Sequence, residues 1–82
     1  MITPAQSRAA RALLEITQSE LADAAKLGLS TVVDFEKKRR QVSTMAILAI
    51  REALAGKGVE FIDENGGGTG VRLKKRQQKK KT

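Results

Sequence analysis

The chain has 82 residues and a formal net charge of +7, with no Cys, His, Trp or Tyr. At this length it is one small domain with tails, near the lower limit at which a core alone stabilises a fold. The missing side chains exclude disulfides, the usual zinc ligand sets and a histidine acid or base, so neither an enzyme nor a cofactor or metal protein is expected. The charge is uneven: residues 1–71 hold nine basic and nine acidic side chains, and residues 72–82 hold seven basic and none acidic. No apolar stretch is long enough to cross a bilayer, and MITPAQSRAARALLEI lacks the apolar core of a signal peptide. A cytoplasmic chain with no membrane contact is expected.

Thr3 before Pro4 predicts a first helix to about Leu14 or Glu15, with Thr as N-cap and Pro where its missing N–H costs nothing. Its apolar positions Ala9, Ala10, Leu13 and Leu14 are expected inside, and Arg8 and Arg11 outside. Thr17 with Glu20 three residues on gives a capping-box start to a second helix, Gln18 to about Ala25. Lys26-Leu27-Gly28 is a turn, and Gly28 caps a third helix from Leu29 to about Lys37. KKRRQ over 37–41 reads as a polar loop. Ser43 caps a fourth helix from Thr44 to about Ala55, with Ile47, Ile50, Ala53 and Leu54 buried and Gly56 as the stop.

Past Gly58 the period changes to two: Val59 and Phe61, then Val71 and Leu73, alternate with Glu60, Ile62 and Arg72. Two short strands joined by a glycine-rich turn make a β-hairpin, which is marginal alone and must pack on the helices or pair with another chain. The turn GGGTG is no phosphate loop, because a strand and not a helix follows it. Asp63 and Glu64, neighbours in a turn, are no catalytic pair. From Lys74 onward no apolar residue remains, and this tail is expected to be disordered until it meets a partner. Lys74, Lys75, Arg76, Lys79, Lys80 and Lys81 would then track phosphates, bind an acidic protein or confer solubility, with nucleic acid the favoured reading. The expected organisation is mainly α: a four-helix domain over 1–57, a hairpin extension over 58–73 and a disordered basic tail over 74–82.

Helices two and three with their short turn have the layout of a DNA-binding helix-turn-helix, and Leu21, Ala22, Ala25, Leu27, Val32 and Phe35 would fill its corner. Gln18-x-x-Leu21-Ala22, Leu27-Gly28-x-Ser30-x-Val32 and Phe35-Glu36 resemble the phage repressor (Cro/Xre) family over residues 3–55, and VEFIDENGGGTGVRLKK looks like a hairpin extension of small bacterial regulators of that group. The resemblance implies double-stranded DNA as partner and a homodimer on two half-sites. Gln18 would bond a phosphate. Leu29, Ser30, Thr31, Val33 and Asp34 would face the groove, and Lys37, Lys38, Arg39 and Arg40 would meet the duplex backbone.

The chain departs from the family pattern at two places. Lys26 stands where a glycine tolerant of positive φ is usual, at a cost of about 1 kcal/mol. The first two turns of helix three, LSTVVDFE, lack the Arg, Lys, Asn or Gln that pair bidentately with bases. Leu29 and Val33 are left for thymine methyls, Ser30 and Thr31 for bases or phosphates, and Asp34 for cytosine, while Asp34 and Glu36 would repel phosphates. An exposed Leu and Val rimmed by polar residues also suits a protein contact. A second reading therefore stays open: an antiactivator that keeps the fold and binds another transcription factor.

Overall fold

The computed structural model describes residues 1–74, and three of its four helices start on a hydroxyl that takes up free backbone N–H groups. In α1, Pro4–Leu14, Thr3 Oγ1 accepts from Gln6 N at 3.1 Å while Gln6 Oε1 accepts from Thr3 N at 2.9 Å. In α2, Gln18–Ala25, Thr17 and Glu20 repeat the reciprocal pair at 3.0 and 2.9 Å. Ser43 Oγ accepts from Ala46 N at the head of α4, Thr44–Gly56. Only α3, Leu29–Lys37, starts on a residue without a side chain, Gly28.

The helix ends follow a different rule. Glu15, Lys26 and Lys38 close α1, α2 and α3 in the left-handed conformation at φ 58°, 59° and 58°. Lys26 adopts the positive φ expected of it. Gly56 does not stop α4 but is its last residue; the chain reverses two residues later, at Gly58 with φ 107°.

The helices enclose Ile2, Ala10, Leu21, Ala22, Val32, Phe35, Val42, Ile50, Leu54 and Val59. Four of the six expected corner residues are buried there, while Ala25 and Leu27 are half-buried. The inward face of α1 differs from the apolar-spacing expectation. Ala9 and Leu13 are exposed, whereas Gln6, Ser7 and Ala10 are buried and Arg11 is half-buried. The reason is that α1 turns toward polar groups needing partners: a carboxylate on α3 and two carbonyls of the hairpin.

Strands β1, Val59–Ile62, and β2, Gly70–Leu73, pair antiparallel with Val59 opposite Leu73 and Phe61 opposite Val71. The hairpin packs on the helices. Val59 enters the core, Arg51 lies over the Phe61 ring at 5.7 Å, and the Gln6 side-chain amide donates to Ile62 O at 3.3 Å and Gly70 O at 3.0 Å. Gln6 thus caps α1 with its oxygen and clamps the hairpin with its nitrogen, which satisfies every polar atom of a buried amide.

Candidate nucleic-acid interface

The turn between α2 and α3 is three residues long because Lys26 supplies the reversal. Its left-handed backbone lets Leu27 N donate to Ala22 O at 2.9 Å, and Thr31 N then donates to Gly28 O at 3.1 Å to start α3. Leu27 packs against the core at this corner. The angle between the two helices is therefore set by local hydrogen bonds together with one apolar wedge.

A buried carboxylate fixes how α3 sits on the rest. Glu36 is 1% exposed, and the 32, 35, 36 spacing places it in the same inward stripe as Val32 and Phe35. Arg11 Nε donates to both carboxylate oxygens at 3.1 and 3.0 Å, and Arg11 Nη2 to Oε1 at 2.7 Å. Ser7 Oγ donates to Oε2, and Gln18 Nε2 to Oε1 at 3.0 Å. Arg8 Nη1 donates to the Glu36 carbonyl. Burial pushes the Glu36 carboxyl up, but the bonds from Arg11, Ser7 and Gln18 and the Arg11 charge outweigh it, so the group titrates below the ordinary range. One side chain thereby ties α1 and α2 to α3.

Three expectations change at this cluster. Arg11 does not simply face solvent but holds the Glu36 carboxylate from α1, while Arg8 is exposed as expected and reaches the Glu36 backbone carbonyl. Glu36 is no threat to a phosphate, because its charge is buried and matched by Arg11. Gln18 directs its amide inward to Glu36, so a phosphate contact by that side chain would have to share or break this bond. The sequence signal for the cluster was a carboxylate within an apolar stripe, which calls for a buried cation.

The outward face of α3 carries Leu29, 47% exposed, and Ser30, exposed, beside half-buried Thr31, Val33 and Asp34. These residues lie off the buried stripe of Val32, Phe35 and Glu36. Asp34 is not free, since Arg40 Nε donates to its Oδ2 at 2.8 Å. Arg40 folds back over the C-terminal end of α3 to do so, and the backbone beneath is pinned by Lys38 N to Phe35 O and Arg39 N to Asp34 O at 3.2 and 2.9 Å. Lys37, Lys38 and Arg39 are exposed and have no ion-pair partner among the described residues. An uncharged helical face is thus bordered at its C-terminal end by cations on a rigid turn.

Of the tail residues, Lys74 is exposed and donates its backbone N–H to Gly58 O at 2.7 Å. Lys75, Arg76, Lys79, Lys80 and Lys81 lie outside the described residues. No group of three or more acidic side chains able to hold a metal occurs among the described residues, and no helix there is long and apolar enough to cross a membrane.

No curated protein matches the chain in sequence. A family model described as helix-turn-helix matches residues 8–61, covering the α2–turn–α3 unit, Arg8 and Arg11 of α1 and β1 up to Phe61. The chain belongs to the Xre/Cro/C1-type helix-turn-helix family of DNA-binding regulators.

Proposed function

We propose that the protein is a cytoplasmic, sequence-specific transcription regulator that lays α3 in the major groove of duplex DNA. The observation that carries this reading is the face of α3 formed by exposed Leu29 and Ser30 and half-buried Val33, beside exposed Lys37, Lys38 and Arg39, which have no ion-pair partner among the described residues and lie on a hydrogen-bonded turn. In such docking the cations meet phosphates and set the register, while the helix face contacts base edges. Leu29 and Val33 suit thymine methyls, and the Ser30 and Thr31 hydroxyls can donate to or accept from bases. Two copies would bind two half-sites about one helical turn apart. Replacing Lys38 and Arg39 with Ala should weaken binding to all duplexes alike and lower the log-log salt slope by about 1.8, at about 0.9 per phosphate contact. Replacing Ser30 and Thr31 should change sequence preference instead. Unchanged DNA affinity after the loop charges are removed would refute this docking.

The ion pair between Asp34 and Arg40 favours a second reading. It neutralises the only charged side chain in the first two turns of the exposed face and leaves Leu29 and Val33 as its main apolar features. On that reading the same face is a protein contact, and the chain occupies another transcription factor as an antiactivator. Leu29→Ala would then abolish partner binding while leaving non-specific DNA affinity untouched.

A further inference from the structure

We infer that the pocket beside the turn after α3 is a binding site for a small amphipathic carboxylate, an acid with one anionic head and a short apolar body, and that this acid competes with DNA for the turn's charge. The site goes beyond the DNA reading, whereas the competition rests on it.

The pocket lies where the start of α1, the end of α3 and the start of α4 meet, and it has a volume of about 330 Å³. That is near the lower end of the range for small-molecule sites, which fits a compact ligand. Its apolar side is made by Pro4, Phe35, Val42 and Ile47. Phe35 and Val42 belong to the core, with Ile47 packed against it, so this wall is held by the fold itself. The wall asks for an apolar body, which an inorganic anion lacks.

The polar side decides the head group. Lys38 and Arg40 both line the pocket, and none of its lining residues is acidic. Lys38 is exposed and has no ion-pair partner among the described residues. Its backbone is fixed next to the apolar wall, since Lys38 N donates to Phe35 O at 3.2 Å. Arg40 spends only Nε on Asp34, at 2.8 Å, and among the described residues its two terminal nitrogens make no hydrogen bond. A guanidinium with its outer nitrogens free is suited to a carboxylate. Thr44 adds the first turn of α4 to the lining, and that turn carries no acidic residue. A cationic ligand would meet two like charges here, and a carboxylate meets two opposite ones. Lys38 is also one of the cations read above as a phosphate contact. An acid that takes up its charge withdraws it from DNA, and by linkage DNA weakens the acid by the same factor.

The probe is octanoate, titrated into the full chain without DNA and followed by backbone amide NMR. Its shifts should saturate and centre on Phe35, Val42, Thr44 and Ile47, while acetate, which lacks the apolar body, and octylammonium, which inverts the charge, should produce no saturable shift there. Lys38→Glu should weaken octanoate about fivefold and strengthen octylammonium, a pair of opposite changes that misfolding cannot produce. Shifts that do not saturate, that spread over the whole surface, or that are the same for octanoate and octylammonium would overturn the site. Saturating octanoate should then weaken duplex binding by the full chain several-fold relative to acetate at equal ionic strength, and unchanged duplex affinity would overturn the competition. A chain that takes octanoate in this pocket but binds no duplex would end the DNA reading and leave the site intact.

Discussion

Replacing Glu36 with Gln keeps the shape of the side chain but removes the charge that three elements converge on. The carboxylate accepts from Arg11, Ser7 and Gln18, and an amide nitrogen on either side would face at least one of these donors with an N–H. Breaking one partner out of a buried ion pair costs about 3–5 kcal/mol. The Arg11 side chain keeps 19% of its surface in water, which lets solvent take up part of the loss and places the expected cost near the lower end, about 3 kcal/mol. For a domain of this size that lowers the melting midpoint by about 12–24 °C. Urea unfolding of the full chain at neutral pH measures the difference directly, and the acid limb supplies a second check. A carboxylate whose folded pKa is depressed contributes stability that is present above its unfolded value of about 4.3 and is lost as pH falls through the folded value. The native chain should therefore lose more stability than Glu36→Gln as pH falls below about 4. A cost under about 1 kcal/mol at neutral pH, or parallel acid limbs, would refute the claim that Glu36 is a charged tie between the helices.

Gln6→Glu keeps the cap on Thr3 but sets a carboxylate against the Ile62 and Gly70 carbonyls; a loss of about 2 kcal/mol is expected, with hairpin amides exchanging faster than those of α4. Lys26→Gly relieves a left-handed lysine and should stabilise the fold by about 0.5–1 kcal/mol, whereas Lys57→Gly, at φ −92°, should not stabilise in the same urea assay. Asp34→Ala removes a half-exposed ion pair worth about 0.2–1 kcal/mol and frees Arg40, so DNA affinity at low salt should rise and the salt slope should steepen by up to about 0.9.

The local frame of the fold was legible because it is written in local chemistry. Thr3, Thr17 and Ser43 open helices with hydroxyls, Lys26-Leu27-Gly28 interrupts one, and the change to period two after Gly58 marks the strands. Helix limits need only a few neighbouring residues to be read. The inward face of α1 needed more, since Ser7 and Gln6 are buried and Arg11 half-buried for partners 25 to 64 residues away. Apolar spacing placed Ala9 and Leu13 inside instead, because a pattern of hydrophobic residues carries no record of which polar group will meet a distant carboxylate. The same limit explains Asp34 and Arg40. Each was legible as a surface charge, but their ion pair depends on Lys38 reversing the chain over the end of α3. Lys37, Lys38 and Arg39 are exposed as a polar loop should be, but that no acidic residue pairs with them among the described residues is something only the folded arrangement reveals.

The central claim is that α3 reads duplex DNA, and binding over a salt series tests it most directly. The full chain and a version ending at Leu73 would be measured on the DNA upstream of the protein's own gene and on an unrelated duplex. The account predicts that both versions prefer the upstream DNA at near-physiological salt, with the shorter one binding more weakly and with a shallower salt slope. Binding without preference that disappears with the basic tail would contradict it.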